Sequence, residues 1–446
     1  MAKAFSSGLS SVLSGGADTI VARATAAGAG ALAVIRVSGP ETVRLAGVLC
    51  PEIDMGAPWR ARVVRLQDGA GQFIEDAIAI PYRSPRSYTG EDMLELMVHG
   101  SPWIVETLVE TVVSAGGRHA TAGEFTQRAV ANGKMDLVQA EAVHEVIQAE
   151  TLWQARMARE QLHGALSKEF RVLKDKLILF LAEIEGSLDF EEQGAVVDYR
   201  ALEQAREECE KGVEKLLDTV AVGVRVREGA RIVIIGAPNS GKSTLFNTLL
   251  SRERAIVTET PGTTRDVLEA DLEIAGLPVA LVDTAGFREA KDPAEAEGIR
   301  RAEQEVSRAD LVLELFSAGE GGRPVNQPQG ERRLAIVSKM DLMDGAVENG
   351  LAISCVTGEG LDRLRKEIHL RISAPMGSMT GSVAVNARHS RALERARSHL
   401  DGISGLPLEV AALEVRSAAK ILDELLGSVD DQEVLDAVFS TFCVGK

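Results

Sequence analysis

The segment Gly236-Ala-Pro-Asn-Ser-Gly-Lys-Ser243 constrains the fold of this chain more than any other feature. It matches G-x-x-x-x-G-K-[ST], directly follows the apolar residues 232–235, and precedes a helix start at residues 244–250. In a strand–loop–helix unit of this kind, backbone N–H groups converge on phosphate oxygens at the helix N-terminus. We expect Lys242 to reach the β- and γ-phosphates of a nucleotide and Ser243 to bind magnesium. A glycine-rich turn without a ligand is the alternative, which the full match in this context disfavours.

Three further apolar runs, at residues 279–282, 311–313 and 334–337, resemble the run before the phosphate loop. Each is short, and stretches with helical character separate most of them. Buried parallel strands have this composition because both of their faces are covered. Residues 226–374 are therefore predicted to form a doubly wound α/β domain.

Two further motifs that could contact magnesium or the γ-phosphate follow the phosphate loop in the sequence. Asp283-Thr-Ala-Gly286 comes after a predicted strand, which places Asp283 near the magnesium and the Gly286 N–H near the γ-phosphate. Thr263 and Thr264 lie between this motif and the phosphate loop, where a threonine can complete the coordination of magnesium.

Two later motifs are suited to a guanine base. In Ser338-Lys-Met-Asp341, the Asp341 carboxylate can accept hydrogen bonds from guanine N1–H and N2–H, which adenine lacks, and Ser354-Cys-Val356 would close over the base. Each motif alone is weak, but together and in this order they specify a GTPase.

Two positions depart from the common GTPase pattern. Ser338 stands where such proteins normally have an Asn that braces the loop and contacts the base edge, so guanine selectivity is expected to survive with weaker affinity. Phe287 stands where Ras-like enzymes have the Gln that orients the attacking water, so hydrolysis needs another apparatus. The Asn239 amide oxygen is one candidate, because it could hold a monovalent cation between the phosphates. A simple turn-forming role for Asn239 is the alternative.

Outside residues 226–374 the sequence predicts two further kinds of structure, an α/β region at the N-terminus and helices on both sides of the inserted domain. Predicted strands at residues 31–37, 76–80 and 93–98, the second stopped by Pro81, and a helix at residues 103–114 indicate an N-terminal α/β domain over residues 1–133, with residues 1–16 disordered. Apolar residues recur at helical spacing from Leu162 to Leu181 and again from Ile421 to Val438. We infer one discontinuous helical domain, residues 134–225 and 375–446, with residues 226–374 inserted in it. The fold class is therefore multidomain α/β plus α.

Composition limits the partners and the compartment. A net charge of −17 and 4% aromatic residues disfavour a protein that binds nucleic acid mainly by neutralising phosphates or stacking bases, so any RNA contact must be local or shared with another protein. No apolar run is long enough to span a membrane. The four scattered cysteines and the absence of a secretory signal favour a reducing, cytoplasmic location.

Motifs outside the nucleotide site give the chain a resemblance to a known family. They are Asp18-Thr-Ile-Val-Ala22, Tyr88-Thr-Gly-Glu-Asp-Met-Leu-Glu-Leu96 with His99-Gly100, Gly123-Glu-Phe-Thr-Gln-Arg128, Lys134-Met-Asp-Leu-Val-Gln-Ala-Glu-Ala142 and the C-terminal Phe442-Cys-Val-Gly-Lys446. Together with the phosphate loop they make the chain resemble the MnmE (TrmE) family of tRNA-modification GTPases over essentially its whole length.

The resemblance implies a fold and an activity. It implies an N-terminal domain that binds folate and dimerises, a discontinuous helical domain and an inserted Ras-like P-loop GTPase domain. Family members form homodimers and work as a heterotetramer with the FAD/NADH-dependent flavoprotein MnmG. They add an aminomethyl or carboxymethylaminomethyl group to C5 of wobble uridine 34 of certain tRNAs. A tetrahydrofolate derivative, 5-formyl or 5,10-methylene, supplies the one-carbon unit, and GTP hydrolysis depends on Mg²⁺ and K⁺.

The resemblance also implies residue roles. Potassium would be held by Asn239, Thr258, Thr260 and Thr263, and magnesium by Ser243 and Thr264. Glu295 would orient the attacking water. Folate would be bound by Arg36, Glu95, Lys134 and Lys446. Cys443 could act on the one-carbon unit or be structural, and both readings stay open.

The motifs and the resemblance together predict one set of nucleotide contacts. It comprises Asn239, Ser240, Gly241, Lys242, Ser243, Thr244, Thr258, Glu259, Thr260, Pro261, Gly262, Thr263, Thr264, Asp283, Thr284, Ala285, Gly286, Ser338, Lys339, Met340, Asp341, Ser354, Cys355 and Val356.

Two other functions fit part of the sequence. A regulatory or ribosome-assembly GTPase explains residues 236–355 equally well, but leaves the N-terminal domain and the C-terminal motif without a role. A folate-sensing module without chemistry would bind folate and tolerate a serine at Cys443.

Overall fold

A computed structural model of the chain describes residues 18–192, 197–255, 268–283, 300, 303–318, 332–342, 351–373, 384–427 and 432–446. The predicted disordered residues 1–16 lie outside this part. The chain divides into two compact units, Met1–His144 with Asp423–Lys446, and Glu145–Leu422. The three predicted domain boundaries stay predictions. The mixture of helices and two sheets agrees with the predicted fold class.

The first unit is built on a six-stranded sheet with the order β3-β4-β5-β2-β1-β6. All neighbours are antiparallel except β1 and β6. The strands are β1 (Ile20–Arg23), β2 (Gly30–Ser38), β3 (Arg62–Gln67), β4 (Phe73–Tyr82), β5 (Met93–Gly100) and β6 (Arg118–His119). The helices that begin in this unit are α1 (Thr42–Leu49), α2 (Pro102–Ser114), α3 (Glu124–Ala131), α4 (Leu137–Gln148) and the C-terminal α13 (Gln432–Phe439).

Buried and less buried residues alternate along β2, which shows which side chains face the core. Ala33, Ile35 and Val37 are fully buried in the core that also contains Leu45 and Leu108 of helices α1 and α2. Because successive side chains of a strand point to opposite faces, Arg36 lies on the face away from that core.

Strand β4 does not stop at Pro81, as the sequence suggested, but continues to Tyr82. Pro81 is opposite Leu94 of β5, and its carbonyl accepts a hydrogen bond from the Trp59 N–H at 2.9 Å. The pairing of β4 with β3 ends at Ala79, so the missing N–H of Pro81 removes no ladder hydrogen bond there.

The second unit contains a seven-stranded sheet with the order β13-β12-β11-β7-β10-β9-β8. Its strands are β7 (Ala230–Gly236), β8 (Arg254–Ala255), β9 (Leu268–Ile274), β10 (Leu277–Asp283), β11 (Leu311–Ser317), β12 (Arg333–Ser338) and β13 (Leu351–Ala352). The four predicted strands β7, β10, β11 and β12 are present and parallel. Strand β9, which pairs antiparallel with β10, was not predicted.

Helices of the second unit lie before, between and after these strands in sequence. They are α5 (Leu152–Leu162), α6 (Ala165–Glu192), α7 (Tyr199–Leu217), α8 (Val220–Glu228), α9 (Lys242–Arg252), α10 (Leu361–Ser373), α11 (Ala387–Asp401) and α12 (Leu408–Leu426), the last of which continues into the first unit. Helix α7 packs against α6 and α11. The predicted buried stripe of α6 is present from Leu166 to Leu177, and it continues through Phe180 and Ile184 rather than Leu181.

Helix α5 contacts the turn between β9 and β10. The Trp153 N–H donates to the Gly276 carbonyl at 3.3 Å, and a Cβ on Gly276 would lie 2.8 Å from Trp153 Cδ1. Gly276 also has a φ of +91°, so close approach and backbone conformation both require glycine there. Within the described ranges, no helix is both long and apolar enough to cross a membrane.

Candidate functional sites

The predicted nucleotide motifs meet at one edge of the seven-stranded sheet. In the parallel pairing of β7, β10, β11 and β12, Gly236 is opposite Leu315, Asp283 is opposite Ile234, and Ser338 is opposite Ser317. The carboxyl ends of these strands therefore lie together, where open α/β sheets bind their ligands.

Glycine and asparagine set the path of the phosphate loop. Gly236, Asn239 and Gly241 have φ values of +154°, +61° and +92°, which ordinary side chains rarely adopt. A Cβ on Gly236 would also lie 2.5 Å from the Leu315 carbonyl oxygen. Gly241 caps α9, whose N-terminus can bind an anion because its first backbone N–H groups have no partner within the helix.

The side chains of the loop that are predicted to bind the nucleotide or its ions differ in exposure. Lys242 is 7% exposed, and its ammonium donates to the carbonyls of Gly236 at 3.0 Å and Ala237 at 2.9 Å. Ser243, Thr244 and Asn239 are exposed. The lysine thus lies over its own loop, with the hydroxyl and amide groups accessible from solvent.

Ser338 braces the phosphate loop. Its hydroxyl is 2.6 Å from the carbonyl oxygen of Ser240 and 3.2 Å from that of Phe316. The bracing role usually filled by Asn is therefore filled by a hydroxyl group. The weaker nucleotide affinity expected from this replacement stays a prediction.

The two predicted base-binding motifs are brought together. The Ser354 hydroxyl donates to Asp341 Oδ1 at 2.6 Å and accepts from the N–H groups of Val356 and Thr357 at 3.2 and 3.1 Å. Asp341 is exposed in the 3-10 turn Met340–Leu342, whereas Ser354 is fully buried. Burial raises the pKa of the neighbouring Cys355 thiol, so this group is held neutral.

The remaining predicted contacts lie outside the described residues. They are Thr258, Glu259, Thr260, Pro261, Gly262, Thr263, Thr264, Thr284, Ala285, Gly286 and Glu295. Asp283 ends β10 and is fully buried.

A second polar site lies in the first unit, on the face of the six-stranded sheet that bears Arg36. Arg36 and Glu95 are opposite each other in the β2–β5 pairing. Arg36 Nε and Nη2 lie 2.9 and 2.7 Å from Glu95 Oε1, and the Tyr82 hydroxyl donates to Oε2 at 3.0 Å. Both charged side chains are 14% exposed, so the pair is largely removed from water.

The C-terminal tail reaches this site. Arg36 Nη1 donates to the Gly445 carbonyl at 3.2 Å, and the Phe125 N–H donates to the Lys446 carbonyl at 3.1 Å. Val444 forms an isolated antiparallel bridge with Ala122. Gly445 has a φ of +98°, and a Cβ there would collide with the Arg23 carbonyl. The tail is thus held by backbone contacts that require glycine.

Burial and neighbouring charges shift the pKa values of two side chains in this second site, Lys446 and Tyr82. Burial lowers the pKa of the Lys446 ammonium, and the Arg36 charge lowers it further. Burial, with the Glu95 charge, raises the pKa of Tyr82 to about 12. The Arg36 guanidinium carbon lies 5.2 Å from the Tyr88 ring centroid and 5.5 Å from that of Phe125, within the range of cation–π attraction.

The two remaining candidates for this site, Lys134 and Cys443, make different contacts. Lys134 follows α3, and its ammonium donates to the Pro85 carbonyl at 2.9 Å. Cys443 is exposed, and its carbonyl accepts from the Lys446 N–H at 3.3 Å. Arg36, Glu95 and Lys446 are therefore gathered in one place, with Lys134 in contact with the loop before Tyr88.

Charged residues of the N-terminal motifs form a network of ion pairs that the sequence analysis did not predict. Arg128, 2% exposed, contacts Asp18, Glu91 and Glu124 at 2.7, 3.1 and 3.0 Å. Arg118 contacts both Asp18 and Glu124 at 2.5 Å. Burial acts to raise the pKa of the Glu124 carboxyl, but bonds from Arg118 and the Thr121 N–H, with the charges of both arginines, outweigh it and lower the pKa. The spacing of Glu124 and Arg128, four residues apart in the motif Gly123–Arg128, was the one local signal for an ion pair.

Comparisons with known proteins cover nearly the whole chain. A family model described as "GTP-binding protein TrmE N-terminus" matches residues 19–134, and one described as "MnmE helical domain" matches residues 137–443. The protein named tRNA modification GTPase MnmE from Aquifex aeolicus is 38% identical over 447 residues, covering 96% of this chain and 100% of that protein. Its namesakes from Thermus thermophilus and Akkermansia muciniphila are 40% and 41% identical, each covering 96% of this chain and 99% of the relative.

Solved structures resemble a smaller part. A variant of Era from Aquifex aeolicus, bound to GDP·AlF4⁻, is 27% identical with a TM-score of 0.24, covering 31% of this chain and 55% of that one. A score this low supports no structural argument, so family membership depends on the full-length relatives.

Proposed function

This chain belongs to the MnmE family of tRNA modification GTPases, and from that membership we propose that it uses a folate one-carbon unit to modify a tRNA wobble uridine. The chain is a GTP hydrolase that acts in tRNA modification. In the proposal its partner is the FAD/NADH-dependent MnmG, and the product carries an aminomethyl or carboxymethylaminomethyl group at C5 of uridine 34. The active form is a homodimer that assembles with MnmG as a heterotetramer.

The contact between Arg36 and the C-terminal tail carries the folate part of this proposal. The Arg36–Glu95 pair is shielded by Tyr88 and Phe125, and it meets the tail that ends in Lys446. A folate presents a flat pterin with N–H donors and a glutamate tail with carboxylates. Glu95 is suited to accept from the pterin edge, and Arg36 or Lys134 to pair with a carboxylate. Cys443, three residues before the C-terminus, is kept as a candidate for chemistry on the one-carbon unit.

The phosphate loop supports the ion requirements. Ser243 is exposed at the first turn of α9, where its hydroxyl can bind magnesium together with Thr264. Asn239 is exposed on the loop in a left-handed conformation, which leaves its amide accessible for a potassium ion shared with Thr258, Thr260 and Thr263. Such an ion would place positive charge where negative charge develops during phosphate cleavage, and Glu295 would orient the water.

The nucleosides of cellular tRNA test the proposal. A strain without this gene should lack the C5-aminomethyl-type nucleoside in digested bulk tRNA, and the wild-type gene should restore it. Complementation with E95Q should fail, because the amide cannot supply a charged acceptor in the folate site. R65A is the matched control, since Arg65 is an exposed sheet residue of the same unit. An unchanged nucleoside profile in the deletion strain would reject the proposed function.

A further inference from the structure

Two polar side chains, Ser338 at the end of β12 and Asp341 in the turn that follows it, lie in opposite environments. Ser338 is 3% exposed and packs behind the phosphate loop, where a Cβ on Gly241 would lie 3.7 Å from its oxygen. Asp341, three residues later, is exposed. The two residues are therefore not equally available to a base.

Counting hydrogens restricts what Ser338 can do. Its hydroxyl lies 2.6 Å from the Ser240 carbonyl oxygen and 3.2 Å from the Phe316 carbonyl oxygen. Carbonyl oxygens only accept, so the hydroxyl must donate, and it has a single hydrogen. No hydrogen remains for a third acceptor.

An asparagine at this position would not meet that restriction. Its amide nitrogen carries two hydrogens, so one can brace a loop carbonyl while the other reaches an acceptor on the base. Guanine presents such an acceptor at N7. Replacing Asn with Ser therefore retains the brace and removes the donor toward N7.

Asp341 keeps the capacity that Ser338 lacks. A carboxylate has about four acceptor positions, and the Ser354 hydroxyl at 2.6 Å uses one of them. That contact orients the Asp341 carboxylate and leaves acceptor capacity for the two N–H donors of the guanine Watson–Crick edge.

We propose that Ser338 holds the phosphate loop but leaves guanine N7 unread, so that selection of the base depends on the N1–H and N2–H contacts of Asp341. The inference rests on the proposed nucleotide role of Asp341. It makes Ser338 a residue that lowers affinity for the base without changing which purine is chosen, because N7 is an acceptor in adenine as well as in guanine.

Equilibrium binding of diphosphates to the full chain tests this inference without interference from hydrolysis. The ligands are GDP, 7-deaza-GDP, in which N7 is replaced by carbon, and inosine diphosphate, which lacks the 2-amino group. The wild type should bind GDP and 7-deaza-GDP with dissociation constants within about twofold of each other. S338N should bind GDP roughly fivefold to tenfold more tightly than 7-deaza-GDP, the effect of one added hydrogen bond. S338T keeps a hydroxyl and should show the wild-type ratio.

A wild-type preference for GDP over 7-deaza-GDP of fivefold or more would overturn the inference, as would an S338N variant that binds both equally. Should S338N fail to fold, the wild type and S338T still decide the matter. Inosine diphosphate tests separately whether Asp341 binds the 2-amino group of guanine. Binding roughly fivefold or more weaker than GDP supports Asp341 as the reader of the base. Equal binding of GDP and inosine diphosphate would reject Asp341 as the reader of the base, and with it the inference. Weaker binding of both inosine diphosphate and 7-deaza-GDP would retain the role of Asp341 and reject only the claim that Ser338 leaves N7 unread.

Discussion

Arg36 donates a hydrogen bond to the Gly445 carbonyl across 409 positions of sequence. This contact joins a central strand of the N-terminal sheet to the last two residues of the chain. The conformation of the tail is therefore part of any site that uses Arg36.

Replacing Gly445 with alanine should weaken folate binding. Because Gly445 has a φ of +98° and a Cβ there would meet the Arg23 carbonyl, the tail must move in G445A. We expect the dissociation constant for 5-formyltetrahydrofolate, measured by calorimetry, to rise about tenfold or more, with GTP hydrolysis retained. G405A is the matched control, since Gly405 has a φ of +83° but nothing within 4 Å of an added Cβ. Equal affinities in both variants would contradict a role for the tail.

Removing Arg128 should destabilise the first unit strongly. The R128M variant keeps much of the side-chain volume but leaves Glu124, which is 0% exposed, without one of its two positive partners. Breaking a buried ion pair from one side costs about 3–5 kcal/mol in the free energy of unfolding. Urea denaturation measures this change, and R65A, at an exposed ion pair, should alter it by less than about 0.5 kcal/mol. A small effect of R128M would show that the network contributes little.

The same network should make stability fall in acid. The pKa of Glu124 is lowered by folding from its ordinary value of 4.5, so below that value the unfolded state takes up a proton before the folded state does. The stabilisation is present above pH 4.5 and disappears as pH falls through the folded-state pKa. Unfolding of the wild type, followed by urea titrations at several pH values, should become easier over this window. E124Q has no carboxyl to titrate and should show a shallower dependence; equal slopes would remove Glu124 as a cause.

Removal of the Asn239 side chain should abolish discrimination between potassium and sodium. N239G is the appropriate change, because glycine tolerates the φ of +61° at this position. If the amide holds a potassium ion, the wild type should hydrolyse GTP about tenfold or more faster in potassium than in sodium, and N239G should show similar rates in both. Steady-state phosphate release measures the ratio, and unchanged GDP affinity in N239G controls for damage to the loop. A wild type indifferent to the cation would contradict the proposed role.

Apolar runs predicted the four parallel strands of the second unit, and the predicted nucleotide motifs lie at their carboxyl ends. The phosphate loop, Asp283 and the segment from Ser338 to Asp341 each follow a strand that its own composition identifies, and parallel strands bring their carboxyl ends together. The sequence could not show that Ser338 contacts Ser240, since that bond joins residues 98 positions apart. It also missed β9, where acidic residues alternate with apolar ones in Leu268–Ile274.

The second site was less accessible to sequence reasoning. Arg36 and Glu95 could be identified only by resemblance, because their pairing depends on the register of β2 with β5. The ion network around Arg128 depends on contacts between distant segments, which no local pattern encodes. The sequence wrongly predicted that the strand stops at Pro81. Because the pairing of β4 with β3 already ends at Ala79, the missing N–H of Pro81 costs no hydrogen bond to β3, and the strand continues past it.

The turn of the β9–β10 hairpin lies against a tryptophan of helix α5. The residues that border it in sequence, 256–267 and 284–299, contain the threonines and the glutamate expected at the γ-phosphate, while its turn contacts Trp153 through Gly276. A shift of this turn alters the surroundings of an indole, and the chain has only three tryptophans. With Trp59 and Trp103 changed to phenylalanine, the intrinsic fluorescence of Trp153 would report, without a label, whether this turn moves against helix α5 during GTP hydrolysis.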